Sequence, residues 1–452
     1  MRRRDGDLRL AGWAPGTVAL LLGLPLLLGL FLGGSARADD YEPIWARAFG
    51  DDALESVNGV AIDPLGRAVI AGHFAGTIDF GGGAHVSAGS YDVFVAKFNA
   101  DGSLLWSRTF GSDGYQVAMD VACDPDGSVY VTGYFENSID FGGSTLVSSG
   151  GYDIFVAKLD PYNGSHYWSR GYGSTDSQVG AAIAADANKV YVAGYFRNRV
   201  DFGGGPLVSA GSADAFLVQF DNGNGIELWS LGFGDASPQY ARGVALHPTG
   251  KVAITGSAVG TIDFGGGPLI SAGDADVFVA KFNSFGYHEW SDLFGDASYE
   301  EGTDIAFRPY YEFLVITGSF YGSISFGGGT LVSAGDLDAF LAELDTIGDH
   351  LWSRSCAGTQ TVSASGLAVG SYGQVALTGY FEGSADFGGG PLAAGGDVKS
   401  SLRPTIRTAC TRAARPTGTP PIRRAMTSSS TTRTRSTWAA GSADRSTSAT
   451  GR

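Results

Sequence analysis

The residues of this 452-residue chain best equipped for chemistry are carboxylates that recur at fixed spacing. Asp79, Asp140, Asp201, Asp263 and Asp386 each open a D-F-G-G loop, with Ser325 at the matching place in another copy. A second series, Asp92, Asp153, Asp214, Asp276 and Asp338, precedes an apolar segment. Paired carboxylates are the raw material of a calcium site or of acid–base catalysis. Catalysis needs one asymmetric site, whereas these residues return in nearly every copy, and their spacing matches no calcium loop with a defined ligand order. Each carboxylate is therefore expected to accept hydrogen bonds from backbone N–H groups of its glycine-rich loop. Weak calcium binding at repeated sites is the alternative, and no other cofactor is expected. The glycines lack the strand–loop–helix setting and the following Lys-Ser/Thr of a phosphate cradle.

The other reactive side chains give less. Trp45, Trp106, Trp168, Trp229, Trp290 and Trp352 could stack on sugars, but strand residues at constant phase are better suited to packing one unit on the next. His166, His288 and His350 precede three of them, and no two histidines have metal-ligand spacing. Cys123, Cys356 and Cys410 form no visible disulfide framework. No nucleophile elbow or Ser/His/Asp set can be assigned.

The elements that must position these residues follow from a repeat. The six tryptophans are 61 or 62 residues apart. Between them run short segments rich in Val, Ile, Tyr and Phe, such as Val129–Phe135 and Asp153–Lys158, bounded by Gly, Asp and Asn. Such segments read as strands, and nothing in the body sustains a helical period. Four strands per unit form a meander whose edges are protected when the units close into a ring, so the fold class is all-β, a β-propeller of blades about 61 residues long. An open solenoid is the runner-up. The Trp45 strand has no preceding partner of its own kind; in a closed ring, that partner would come from the C-terminal end.

The unit W-x-x-x-F-G, D-P-x-G, G-x-F, D-F-G-G-G, S-A-G-x-x-D-x-F-x-A-K-F resembles the SBBP-type repeat of exported bacterial propeller proteins. The similarity covers residues 45–396. It implies seven blades and an exported or surface location, and it implies no common activity.

Three segments are expected. Residues 1–38 read as a signal peptide: Arg2–Arg4, an apolar run over 17–32, and Ala36-Arg37-Ala38 before Asp39. Residues 39–396 are the repeats, with no further stretch long enough to cross a bilayer. Residues 397–452 hold 21 Ser or Thr and 10 Arg, and read as an out-of-frame translation of further repeat. Begun at the third base of each printed codon, codon degeneracy allows Asp-Pro-Asn-Gly over 405–409. Over 430–451 it allows a strand and a D-F-G-D-G loop in register. The net charge of −16 averages a basic tail with a body holding 14 basic and 42 acidic residues, net −28.

That charge argues against nucleic acid and anionic membranes as partners. The expected function is an exported, non-enzymatic binding or structural module at the cell surface or outside it, with a glycan or protein ligand at a channel mouth. The alternative is an extracellular polysaccharide hydrolase or lyase. It requires departures from the repeat that converge on one face; the loops over 112–116, 235–240 and 297–303 vary most, and Glu300 and Glu301 stand out in the last.

Overall fold

The computed structural model describes residues 18–22, 45–387, 390–394 and 408–410. Each unit lays down four antiparallel strands, from the axis outward an inner, two middle and an outer strand. In the second blade these are Gln116–Cys123, Val129–Phe135, Asp153–Leu159 and His166–Tyr172. Four further blades repeat this order over residues 55–110, 178–233, 239–294 and 300–358. The tryptophan strand is thus the outer strand of the preceding blade, paired with its D-x-F-x-A-K-F segment. A short hairpin such as Thr77–Asp79 with Ala84–Val86 sits between the middle strands; in the third blade it is continuous with them.

Middle strands such as Asp276–Phe282 are buried along their whole length, because the blade is covered on both faces by its neighbours. The apolar core lies between blades: Val69, Ala71 and Val95 of the first pack with Val121, Val131 and Phe155 of the second. The result is the all-β propeller arrangement that the sequence predicts. Among the described residues there are five complete blades and a three-stranded sixth: Val362–Val369, Val375–Phe381 and Thr408–Cys410. A seventh blade, which the family resemblance implies, is not seen among the described residues.

Among the described residues the Trp45–Phe49 strand pairs in antiparallel register with Val18–Leu22; the C-terminal residues expected to supply its partner in a closed ring lie almost wholly outside them. An unpaired outer strand needs a ladder partner, and among the described residues the apolar N-terminal run fills that place.

The inner strands of successive blades lie against one another, and all six carry a β-bulge. At two of the bulges an aspartate fastens its blade to the next: Asp120 Oδ2 accepts from the Ile183 N–H at 2.9 Å, and Asp304 Oδ2 from Leu367 at 2.7 Å. Gly59 and Gly243 leave room for them; a Cβ on Gly59 would come within 2.8 Å of the Asp120 Cα. Burial pushes the Asp120 carboxyl up to about 7, with Asp304 adding to it, and Asp304 to about 6.

At the opposite end of the blades, polar side chains tie turns to strands. Lys97, fully buried, pairs with Asp63 at 2.9 Å, and Lys158 lies 3.8 Å from Asp124. In the fifth blade the same two positions hold Glu343 and Arg308, paired at 2.6 Å with their signs exchanged.

Candidate functional site

The recurring tryptophans are clasps between blades. The indoles of Trp45, Trp106, Trp168, Trp229 and Trp290 lie against Gly102, Gly164, Gly225, Gly286 and Gly348 of the following blade, where a Cβ would approach within 2.6–3.2 Å. All five glycines have positive φ as well. The indole nitrogens of Trp45, Trp106, Trp168 and Trp290 donate to carbonyls in the same turns, at 2.9–3.3 Å. Trp352 donates instead to Glu343 of its own blade, and the Trp229 nitrogen is buried without a partner.

The first aspartate series sits on the loops. Asp79 accepts from Gly81 and Gly83, Asp140 from Gly142, Asp201 from Gly203, Asp263 from Gly265 and Gly267, and Asp386 from Gly390, all at 2.7–3.2 Å. The second series is buried. Asp92, Asp153, Asp214, Asp276 and Asp338 each accept a backbone N–H from four residues earlier, at 2.7–3.1 Å. His166 and His288 lie under D-F-G-G loops and His350 under the Ser325 loop, and they contact Ser169, Ser291 and Ser353 at 2.9–3.1 Å. The structure does not bring these groups together; they are distributed one per blade. Among the described residues no group of three or more His, Cys, Asp or Glu could hold a metal ion.

Convergence occurs elsewhere, at the channel mouth where the outer strands return to the inner ones. There the repeat is broken by aromatic residues from successive blades. His73 meets Tyr91 at 5.0 Å between ring centroids, and Tyr91 meets Tyr115 at 5.3 Å. Tyr134 and Tyr152 are 4.8 Å apart, as are Tyr195 and Tyr240, the last pair edge to face. The Arg242 guanidinium lies over Tyr240 and Tyr195 at 5.3 and 5.8 Å and pairs with Glu301 at 2.7 Å. Glu301 also accepts from the Tyr299 hydroxyl at 3.1 Å. On the fourth and fifth blades Ser257 and Ser319 take the place of Tyr134 and Tyr195, and Ser319 donates to Ser363 of the sixth at 3.2 Å.

Burial, then the phenols of Tyr152, Tyr195, Tyr91 and Tyr115, pushes Tyr134 up to about 12; burial also raises Tyr195 and Tyr299. Burial lowers the pKa of His73 below the ordinary imidazole value. Burial opposes the charge on Arg242, but Glu301 more than offsets it and the guanidinium is held more firmly protonated. A separate groove of about 520 Å³ lies on the outer rim, lined by His166, Trp168, Arg170 and Asn224. Its Trp168 and Arg170 also hold the neighbouring turn, donating to the carbonyls of Asn222 and Asn224.

Sequence reasoning placed attention on the loops over 112–116, 235–240 and 297–303, which do supply Tyr115, Tyr240, Tyr299 and Glu301. It missed Tyr134 and Tyr195. The available signal was the variable residue of G-x-F, which is His73, Tyr134, Tyr195, Ser257, Ser319 and Tyr380 along the chain. The two glutamates part company: Glu301 faces the mouth, while Glu300 is fully buried in the blade.

No family model matches the chain. It is similar to an uncharacterized WD repeat-containing protein of Acanthamoeba polyphaga mimivirus, 22% identical over 55% of this chain and 23% of that protein. It is also similar to the regulatory protein FlaEY of Caulobacter vibrioides, 25% identical over 63% of this chain and 32% of that one. The chain thus spans about a quarter to a third of the curated relatives it matches. Among solved structures, BamB of Moraxella catarrhalis is 14% identical with a TM-score of 0.34, covering 80% of this chain and 93% of that one. A quinohemoprotein alcohol dehydrogenase of Pseudomonas putida is 12% identical with a TM-score of 0.35, covering 77% and 58%.

Proposed function

We propose that the protein is an exported, non-enzymatic β-propeller binding module whose glycan or protein ligand seats on the tyrosine-lined channel mouth. The observation that carries this reading is convergence: blades that repeat nearly everywhere else depart from the repeat together at this one rim. Tyrosine presents a large, stiff, amphipathic surface at low entropic cost. An aromatic arc facing a serine arc suits a ligand with one apolar face and one hydroxylated or amide edge. The leader at residues 1–38 supports export, and its removal would take away the Val18–Leu22 strand and leave the edge of Trp45–Phe49 open to a partner. The body's charge disfavours nucleic acid, and the reading invokes no cofactor; calcium at the loop aspartates is a secondary proposal.

The hydrolase reading draws less support from the same rim. A general acid or nucleophile must be free to exchange protons or attack, whereas Glu301 is held by Arg242 and Tyr299.

A glycan array and a peptide library probed with the full chain test the proposal. Wild type is expected to retain ligands that the Y134A and Y195A variants release by at least roughly tenfold, the effect of losing one good aromatic contact. Turnover of a polysaccharide that disappears in E301Q would favour the enzyme instead.

A further inference from the structure

The first residue of the inner strand provides an internal comparison. It is glutamine in the second, third and fourth blades (Gln116, Gln178, Gln239) and glutamate in the first and fifth (Glu55, Glu300). Each glutamine is buried and bridges two backbone groups. Its Oε1 accepts from the N–H of Ser112, Ser174 or Asp235 at 3.0–3.3 Å. Its Nε2 donates to the carbonyl of Glu136, Arg197 or Val259 at 2.8–3.2 Å.

Glu300 is just as buried. Its Oε2 makes the first of these contacts, accepting from Asp296 N–H at 3.2 Å. Its Oε1 takes the place of the glutamine nitrogen and has no hydrogen-bond partner. The matching carbonyl is that of Tyr321, whose N–H binds Tyr299 at 3.1 Å as Glu136 binds Tyr115 at 2.8 Å. Two acceptors facing each other repel; a protonated Glu300 would instead donate, as glutamine does.

The titratable groups around it are anionic. Asp296 comes from the preceding loop and Asp276 from a middle strand of the fourth blade; a Cβ on Gly295 would lie 2.6 Å from both Asp276 Cγ and Glu300 Oε2. The neighbouring strand of the fifth blade ends in Phe320 and brings no charge here. Glu301 and Asp304, on its own strand, engage Arg242 and the Leu367 amide. Burial, followed by Asp296 and Asp276, pushes Glu300 from 4.5 up to about 8; burial, with Asp51 adding to it, raises Glu55 to about 7.

We propose that Glu300 is a proton-operated latch beneath the channel mouth: protonated, it donates to the Tyr321 carbonyl and holds the loop over 297–301 on its blade, and ionised, it releases that loop. Tyr299 and Glu301 flank the latch in sequence, so the mouth would be ordered below the transition and loosened above it. Only this last consequence rests on the binding reading. Because the folded chain keeps a proton that the unfolded chain surrenders near 4.5, the stability associated with Glu300 is complete below that pH. It is lost as pH rises through about 8, and level beyond.

The test uses the full chain labelled with carbon-13 at the glutamate carboxyl, titrated from about pH 5 to about pH 9, a span covering both glutamates. A resonance still in the protonated position near neutrality, moving around pH 8 and absent from E300Q, is expected. E55Q should remove a different one. If E300Q removes a resonance that titrates in the ordinary carboxylate range, the latch is overturned. Amide protection over 297–301, corrected for intrinsic exchange, should fall roughly tenfold across the transition in wild type and stay level in E300Q. Equal loss in both also overturns it, whereas failure of every ligand to bind the mouth would count against the binding reading alone.

Discussion

Asp153 and Gly173 form a unit although twenty residues of chain separate them. The Asp153 carboxylate is buried, accepts from Ser149 at 2.8 Å, and occupies the space a side chain at 173 would need: a Cβ there would be 2.0 Å from Asp153 Cγ. The same contact recurs at Gly111 with Asp92, Gly234 with Asp214 and Gly295 with Asp276. In the fifth blade the glycine is replaced by Ala357, and Asp338 accepts from the next residue, Gly358, at 3.0 Å. G173A is therefore expected to destabilise by about 1–3 kcal/mol through overpacking. A357G should cost no more than about 1 kcal/mol, the usual backbone penalty; urea unfolding of the two variants checks the contrast, and equal effects would contradict it. Both residue types announce themselves in the sequence by recurrence. Their partnership does not, because a repeat period fixes where a residue returns and leaves open which neighbour it touches.

The sixth blade shows what one strand contributes. Val375–Phe381 pairs along its full inner side with Val362–Val369, but on the other side, among the described residues, only Val375, Ala376 and Leu377 are paired, with Thr408–Cys410. In the second blade the equivalent ladder runs over seven residues, Val129 to Phe135. If the chain beyond 396 were read in the shifted frame, a strand of the repeat type would be available for this ladder. A protein expressed from the corrected frame should melt several degrees higher, as expected for even a few kcal/mol of added pairing and burial. An unchanged or lower melting temperature in calorimetry would argue against the frameshift proposal. At this scale the sequence was highly legible: the four long strands of each unit and the pairing of a tryptophan strand with the D-x-F-x-A-K-F strand before it follow from period and pattern. The tyrosine mouth was only half legible. Tyr115, Tyr240 and Tyr299 lie in loops that vary visibly, whereas Tyr134 and Tyr195 sit inside strands, where an aromatic residue is ordinary and only its meeting with other blades makes it a site. Glu300 was singled out as an acid for chemistry; alternation along the strand turned it inward and left Glu301 on the rim.

Across the molecule, nearly identical blades pose a problem of order. Every middle strand is a candidate partner for every other, since their apolar faces differ little and a closed ring must place each one correctly. The exchanged pair of Arg308 and Glu343 bears on this. A turn from the fifth blade set against a strand from the first or second would bring Arg308 to Lys97 or Lys158, two cations with little water to screen them, and the reverse error would bring Glu343 to Asp63 or Asp124. Buried charge of one sign left uncompensated costs about 3–5 kcal/mol, so E343K alone should be strongly destabilising and R308D/E343K should recover most of the loss in equilibrium unfolding. The double variant would nonetheless carry the same signs as the first and second blades. Diluted from denaturant, it should give a lower yield of monomer and more aggregate than wild type at equal stability. The inverted ion pair then serves as an address written in charge, by which one copy among many declares its place in the queue.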